Sequence, residues 1–293
     1  MGKLIMLTGQ DPKAIQQQYE TTSYLKIMQD THDLYTVPNV SFPEWVLDRC
    51  DFKGQERVLD VGAGSGRYYN AIQTRFPNIQ YHALDLFSNM LKVNHAERRI
   101  VADAVRLPFA DASFDRVMAN HMLYHLTDVE VGLTEMRRVL KPDGVLIAAT
   151  NSAFSMPQFS ELMRRGILLL SKPGTRMTQL PPAPQTTFAL ENGSVQMARH
   201  FYAVVRHDLP GELVFPEPEP ALNYLQTWRS MREPQLPPEV LWDDLMLVIH
   251  DQINRIIRHF GHLSVEKISG VLIGTHSGGF IRQYEELRGK FHA

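Results

Sequence analysis

Three aspartates and a run of glycines are the residues best spaced to do chemistry. Asp60 precedes Gly62-Ala63-Gly64-Ser65-Gly66, Asp85 follows Gly66 by nineteen residues, and Asp103 ends a third short apolar run. Glycine reaches positive φ without a Cβ penalty and lets another molecule come close to the backbone, so the loop reads as a ligand platform. A dinucleotide fingerprint needs a third glycine at position 67, where Arg67 stands, and no Lys-Ser or Lys-Thr follows to make a Walker loop. A carboxylate at position 60 would repel a pyrophosphate and attract an ammonium or a sulfonium. The ligand expected over these glycines is therefore cationic.

Such groups must be carried on the ends of strands. Val58, Leu59 and Val61 predict a buried strand that stops at Gly62, followed by a helix over 68–76 closed by Pro77. Residues 79–84 predict a second strand ending at Asp85. An acid there, at the tip of the second strand of a βαβ unit, can accept both hydroxyls of a ribose. That geometry also serves nicotinamide cofactors, so Asp85 points to a nucleoside without choosing one. Ser88 to Asn94 predicts a short helix, and 100–102 a clipped third strand ending at Asp103 and Ala104. A fourth strand, 116–119, opens into Asn120-His121-Met122-Leu123-Tyr124-His125. A helix over 129–140 and a fifth strand over 145–150 complete this part.

The string Arg57-Val58-Leu59-Asp60-Val61-Gly62-Ala63-Gly64-Ser65-Gly66-Arg67 resembles the first motif of the class I S-adenosylmethionine-dependent methyltransferases. Leu107-Pro108-Phe109 with Ser113-Phe114-Asp115 resembles the small-molecule, type 11-like branch, and so does the turn Arg138-Val139-Leu140-Lys141-Pro142-Asp143-Gly144. The likeness covers about 51–150. It implies an α/β fold, a doubly wound, seven-stranded, mostly parallel sheet with an antiparallel seventh strand. It also implies S-adenosyl-L-methionine as cofactor and S-adenosyl-L-homocysteine as product. By the same resemblance the cofactor lies against Asp60, Gly62, Ala63, Gly64, Gly66, Asp85, Leu86 and Asn120. Asp103 takes the adenine amino group and the Ala104 N–H a ring nitrogen. A lid before the first motif brings Tyr19 or Tyr24 to the methionine carboxylate.

His121, Tyr124 and His125 are the catalytic candidates, with His121 the preferred general base. The two histidines stand four apart, which is also metal-ligand spacing, but no motif places a third ligand and no metal is expected. Methyl transfer from a sulfonium needs no acid for its neutral leaving group, and a base only when the acceptor holds a high-pKa proton. The acceptor atom, oxygen, nitrogen or carbon, is therefore open. Two other readings stand beside the enzyme. A nicotinamide-dependent oxidoreductase fits poorly with the glycine spacing, Asp60 and Asp103; a non-catalytic or regulatory cofactor-binding protein keeps all of these features.

The 293 residues are 44% hydrophobic and 21% charged, with net charge -2, so no basic excess exists to neutralise nucleic-acid phosphates. A small-molecule substrate and no nucleic-acid partner are expected. Cys50 is the single cysteine, and the first residues lack the apolar core of a signal peptide. No run is long and apolar enough to span a bilayer, so the expectation is a cytoplasmic monomer or homodimer without a membrane partner. The domain plan expected is an N-terminal helical lid over 1–50 and a methyltransferase domain over 51–293. Segments at about 151–190 and 217–260 are inserted to shape the substrate pocket. Of the 18 prolines, 11 lie from Pro173 to Pro238, which argues for loops and short helices there. A sixth strand is placed at 203–215, a seventh at 264–276 and a last helix over 278–291. Trp228, Trp242, Leu245, Ile249, Ile253 and Ile256 between the last two strands read as helices that wall a pocket.

Overall fold

The computed structural model describes residues 22–172 and 184–276. Eight strands form one sheet: β1 (Thr36–Val37), β2 (Arg57–Val61), β3 (Gln80–Asp85), β4 (Arg98–Val101), β5 (Phe114–Met118), β6 (Leu140–Asn151), β7 (Ala203–Phe215) and β8 (Leu263–Thr275). Their spatial order is β1-β7-β8-β6-β5-β2-β3-β4. The pairs β2–β3, β2–β5, β3–β4 and β5–β6 are parallel, and β8 runs antiparallel to β6 from Val145↔Thr275 to Asn151↔Ser269. This is the doubly wound, mostly parallel sheet that the resemblance implies, with one strand more than the seven expected. The extra strand is β1, which pairs antiparallel with β7 through Thr36↔Leu213 and Val37↔Glu212. Two residues are too few to leave a periodic signal, so only the partner strand reveals it.

Strand β6 also begins earlier than its apolar run. Leu140 already pairs with Phe114, and the register shifts before Arg116 meets Val145. The Pro142-Asp143-Gly144 punctuation is thus absorbed in an irregular strand start rather than a loop.

The chain divides into two compact units. The first, here the glycine-loop unit, spans the described residues 41–153, 185–209 and 269–276. Val58, Leu59, Asp60 and Val61 of β2 are all buried, as expected of a central parallel strand covered on both faces. Around it stand α2 (Phe42–Leu47), α3 (Arg67–Arg75), α4 (Ser88–Lys92), α5 (Val129–Val139) and α7 (Leu190–Met197). Helix α5 starts where the Asp128 side chain accepts the Val131 N–H at 3.2 Å, and it buries Leu133, Met136 and Val139 against Leu59, Val117 and Leu146.

The second, here the insertion unit, gathers the described residues 22–40, 154–172, 184 and 210–268. It holds α1 (Thr22–Tyr35), α6 (Pro157–Leu170), α8 (Pro218–Gln226), α9 (Arg229–Arg232) and α10 (Trp242–Phe260). Its own core includes Phe159, Leu162, Phe215, Trp242, Leu245, Ile249 and Ile253, with Met28 and Tyr35 of α1 packed on it. Helices α6 and α10 close at Gly166, where an added Cβ would meet Leu245 Cδ1 at 2.5 Å. Predicted element bounds agree to within about two residues over most of 57–276. The last helix expected over 278–291 lies outside the described residues. No helix among the described residues is long and apolar enough to cross a membrane.

Gly270 on β8 is a sharp test of the sheet, because a Cβ there would lie 2.4 Å from the His207 carbonyl oxygen. Gly270→Ala is expected to destabilise the protein by about 1–3 kcal/mol through backbone overpacking. Thermal denaturation followed by circular dichroism checks this, and an unchanged melting temperature would refute the close approach of β7.

Candidate functional site

The glycine loop leaves β2 in a conformation few side chains tolerate. Gly62, Gly64 and Gly66 have φ of 72°, 53° and 88°. The Gly62 and Ala63 N–H groups both donate to the Leu84 carbonyl, at 2.7 and 3.0 Å, which ties the turn to the end of β3. A Cβ on Gly62 would stand 2.7 Å from Met122 Cβ, and one on Gly66 would stand 2.9 Å from Asn94 Oδ1. Glycine is required at both positions, for its φ and for the room.

Asp60 sits at the base of this loop, 2% exposed, and accepts a hydrogen bond from the Tyr81 hydroxyl. Burial pushes its carboxyl up to about 7; the Tyr81 bond opposes the rise and the neighbouring Asp85 adds to it. The phenols of Tyr81 and Tyr68 are raised in turn by burial and by Asp60. Tyr68 is buried, and its hydroxyl has no hydrogen-bond partner among the described residues.

Asp85 ends β3 and braces the loop. Its Oδ2 accepts the Gly64 N–H at 2.9 Å and its Oδ1 the Phe87 N–H at 2.9 Å. Burial raises its pKa, and these backbone donors restrain the rise. Each carboxylate oxygen has a second lone pair, so two further donors can still be received. Leu86 beside it is 53% exposed. Asp103 is exposed and accepts the Val105 N–H at 3.1 Å, while Ala104 is buried.

Beyond β5 the ladder to β6 continues, with the Ala119 N–H on the Ile147 carbonyl and the His121 N–H on the Ala149 carbonyl, each at 2.8 Å. Between them the Asn120 side chain takes a rung: its Oδ1 accepts the Ala149 N–H at 3.1 Å. That bond fixes the amide and leaves Nδ2 buried without a partner among the described residues. His121 then adopts φ 55°, unusual for a non-glycine residue, with its ring 5.4 Å from that of Phe42. Leu123–His125 form a 3-10 turn, so His121 and His125 do not share a helix face as their spacing allows. Burial pushes His125 down to about 4, which keeps the imidazole neutral at pH 7 and makes it a weak base. The Tyr124 ring lies 4.5 Å from that of His125, and the Tyr124 carbonyl accepts the Thr187 hydroxyl at 3.1 Å. Among the described residues no three His, Cys, Asp or Glu side chains converge to hold a metal ion.

Asp60, the glycines, Asp85, Asp103, Ala104, Asn120 and the His121–His125 segment thus all belong to one compact unit. Tyr24 is half-buried on α1 of the insertion unit, and Tyr19 lies outside the described residues. Sequence reasoning missed four residues: Tyr81 on Asp60, Met122 over Gly62, Phe42 against His121, and Asn94. The Asn94 Nδ2 donates to the Gly64 carbonyl at 3.1 Å, and its Oδ1 accepts the Ala96 N–H at 2.9 Å. Burial of a short polar residue after a helix is the one trace Asn94 leaves in sequence, and it is a weak one.

Comparison with known proteins bears on this unit. Residues 59–148 match a family model described as a methyltransferase domain. A malonyl-[acyl-carrier protein] O-methyltransferase of Methylovorus sp. is 33% identical over 135 residues, 41% of this chain and 46% of that protein. A demethylmenaquinone methyltransferase of Corynebacterium efficiens is 32% identical over 137 residues, 46% of this chain and 59% of that one. The chain therefore spans about half the length of the curated relatives it matches. Among solved structures, a phosphoethanolamine N-methyltransferase of Haemonchus contortus, in complex with phosphomonomethylethanolamine and S-adenosylhomocysteine, shares the fold. Its TM-score is 0.54 at 15% identity, over 92% of this chain and 61% of that one.

In the ligand-free protein the Asp60 carboxyl is expected to titrate near pH 7. Asp85→Asn should lower that midpoint by removing a like charge, and Tyr81→Phe should raise it by removing a donor. Carboxyl-detected carbon NMR reads all three; a wild-type midpoint near 4 would overturn the burial argument.

Proposed function

We propose, from the match of residues 59–148 to a methyltransferase domain, that this chain is a class I S-adenosylmethionine-dependent methyltransferase of the type 11 family. On that premise we propose that it transfers the methyl group of S-adenosylmethionine to a small-molecule acceptor. The observation that supports this most is the buried Asp60 carboxyl, poised near neutrality beneath a glycine turn braced by Asp85. A buried acid with no cation beside it is costly as an anion, and an ammonium or sulfonium placed over the loop relieves that cost.

The residues present suit such a cofactor. Asp60 balances the positive amino-acid portion, and Gly62 to Gly66 let it lie against the backbone. The remaining lone pairs of Asp85 receive the two ribose hydroxyls, and Asp103 with Ala104 takes the adenine edge. The Asn120 Nδ2 is a fixed, unspent donor in the same unit, as is the Tyr68 hydroxyl. The cofactor when bound supplies an electrophilic methyl on a sulfonium. The work of the chain is then to align the acceptor with that carbon, to exclude water and, where the acceptor carries a proton, to receive it. Alignment of this kind is worth roughly 7–11 kcal/mol. Of the base candidates, His121 is preferred, because His125 is held at about 4 and is a poor proton acceptor.

The insertion unit lies outside the matched residues and has a core of its own, which supports a role in choosing the acceptor. One matched relative is named as a malonyl-[acyl-carrier protein] O-methyltransferase and another as a demethylmenaquinone methyltransferase, so a small-molecule acceptor is the class proposed, methylated on oxygen, nitrogen or carbon. The net charge of -2 agrees with an acceptor that is not a nucleic acid.

Calorimetric titration with S-adenosylmethionine tests the cofactor site. Asp85→Ala removes two charge-assisted bonds and is expected to weaken binding by at least about 100-fold, and Gly64→Asp to abolish it. Wild-type affinity in both variants would refute the site. Affinity should also climb with pH toward 7, by up to about tenfold per unit, and level off just above, because below 7 the cation must displace a proton from Asp60. The slope should vanish in Asp60→Asn. His121→Ala should cut turnover on the true acceptor with cofactor affinity kept, and equal turnover would remove His121 as the base.

A further inference from the structure

We infer that the outer edge of β7 is a docking site for a second copy of this chain, the two strands running antiparallel through 203–209 about a two-fold axis at His207. The sheet order leaves this edge open. Strand β7 has β8 on one side and β1 on the other, yet β1 pairs only with Glu212 and Leu213. Among the described residues, 203–209 therefore have no strand on their outer side, and no backbone hydrogen bond from a loop or helix reaches them there. None of the residues 203–211 is fully buried, whereas four of the five in the central strand β2 are. An edge of this length presents a row of N–H and C=O groups on which another strand can pair.

The side chains select the strand. Arg206 and Asp208 stand two apart and share one face of β7, with side chains 36% and 40% exposed. Arg206 Nε donates to Asp208 Oδ1 at 2.6 Å and Nη2 to Oδ2 at 2.7 Å, while Nη1 donates to the Leu190 carbonyl at the start of α7 at 2.8 Å. Like charges along an edge turn other strands away. Opposite charges two residues apart do the reverse for an identical strand run antiparallel. With the axis at His207, Arg206 faces the partner's Asp208, and Asp208 faces the partner's Arg206. Four charges then alternate around the axis, each beside charges of opposite sign. Moving the axis to 206 or to 208 sets arginine against arginine or aspartate against aspartate, so the charges fix one register.

Such a pair is closed, because the same edge is used on both copies and none is left for a third. Tyr202 at the entry to β7 and Val195 on α7 are 73% and 63% exposed and add apolar area on the elements that flank the edge. A ladder this short makes a modest interface, so a dissociation constant of about 1–100 µM is expected. The inference does not rest on the methyltransferase reading.

Sedimentation equilibrium of the full chain tests it. Wild type should shift from monomer toward dimer between about 1 and about 100 µM, and added salt should weaken the dimer. Arg206→Asp makes every charge at the axis negative and Asp208→Arg makes every one positive, so each variant alone should dimerise at least about tenfold more weakly. Mixed together, the two variants should form a heterodimer with affinity near that of wild type. The double exchange, Arg206→Asp with Asp208→Arg, should restore the homodimer. Damage to the fold would be rescued by neither. Should a charge reversal fail to fold by circular dichroism, amide hydrogen exchange on wild type decides, with protection over 203–209 rising between the two concentrations. A wild type that stays monomeric at the higher concentration overturns the proposal, as does a single variant that dimerises like wild type. Failure of the mixed variants to associate, or protection at 203–209 that ignores concentration, overturns it equally.

Discussion

A carboxyl group held out of water at the end of a central parallel strand is the constraint around which the glycine-loop unit is built. Asp60 lies on β2, with β3 on one side and β5 on the other, and its ladder partners Ala83 and Met118 and chain neighbours Leu59 and Val61 are apolar and buried. Left ionised and alone it would destabilise the fold. It is accommodated by a tyrosine donor and by a pKa raised to about 7, so that a proton substitutes for the missing cation. A group so placed contributes little to holding the sheet together and a great deal to attracting a positive ligand.

Asp85 does two things at once. Its hydrogen bond to the Gly64 N–H holds the turn in shape, and Asn94 grips the same residue through its carbonyl. The loop is therefore fixed before any ligand arrives, and little ordering remains to be done on binding. The same economy shows at Asn120, whose amide completes the β5–β6 ladder with its oxygen and keeps its nitrogen unspent. In both cases one residue supports the backbone and presents chemistry, so substitutions there affect stability and binding together.

The two units divide what is shared from what is particular. The methyltransferase domain match at 59–148 lies wholly in the glycine-loop unit. Helices α6, α8 and α10 lie outside it, with an aromatic cluster in which the Phe159 ring stands 5.7 Å from Tyr224 and 5.9 Å from Trp228.

The sequence by itself determined the glycine loop and the strand ends around it. Gly62, Gly64 and Gly66 at fixed spacing, with Asp85 and Asp103 at the ends of apolar runs, are local signals, because strand ends and tight turns are written within a few consecutive residues. Helix and strand bounds followed for the same reason. Tertiary structure alone decided the rest. Whether Tyr81 reaches Asp60 depends on the β2–β3 register, which pairs Val58 with Tyr81 and sets the phenol one step along from the acid. That 22–40, 154–172 and 210–268 coalesce into one unit follows from contacts between segments far apart in the chain, which no periodicity records. Nor does Gln252 in its helix announce that its amide is buried without a partner among the described residues. Burial is set by what arrives from elsewhere in the chain, and local pattern carries no information about it.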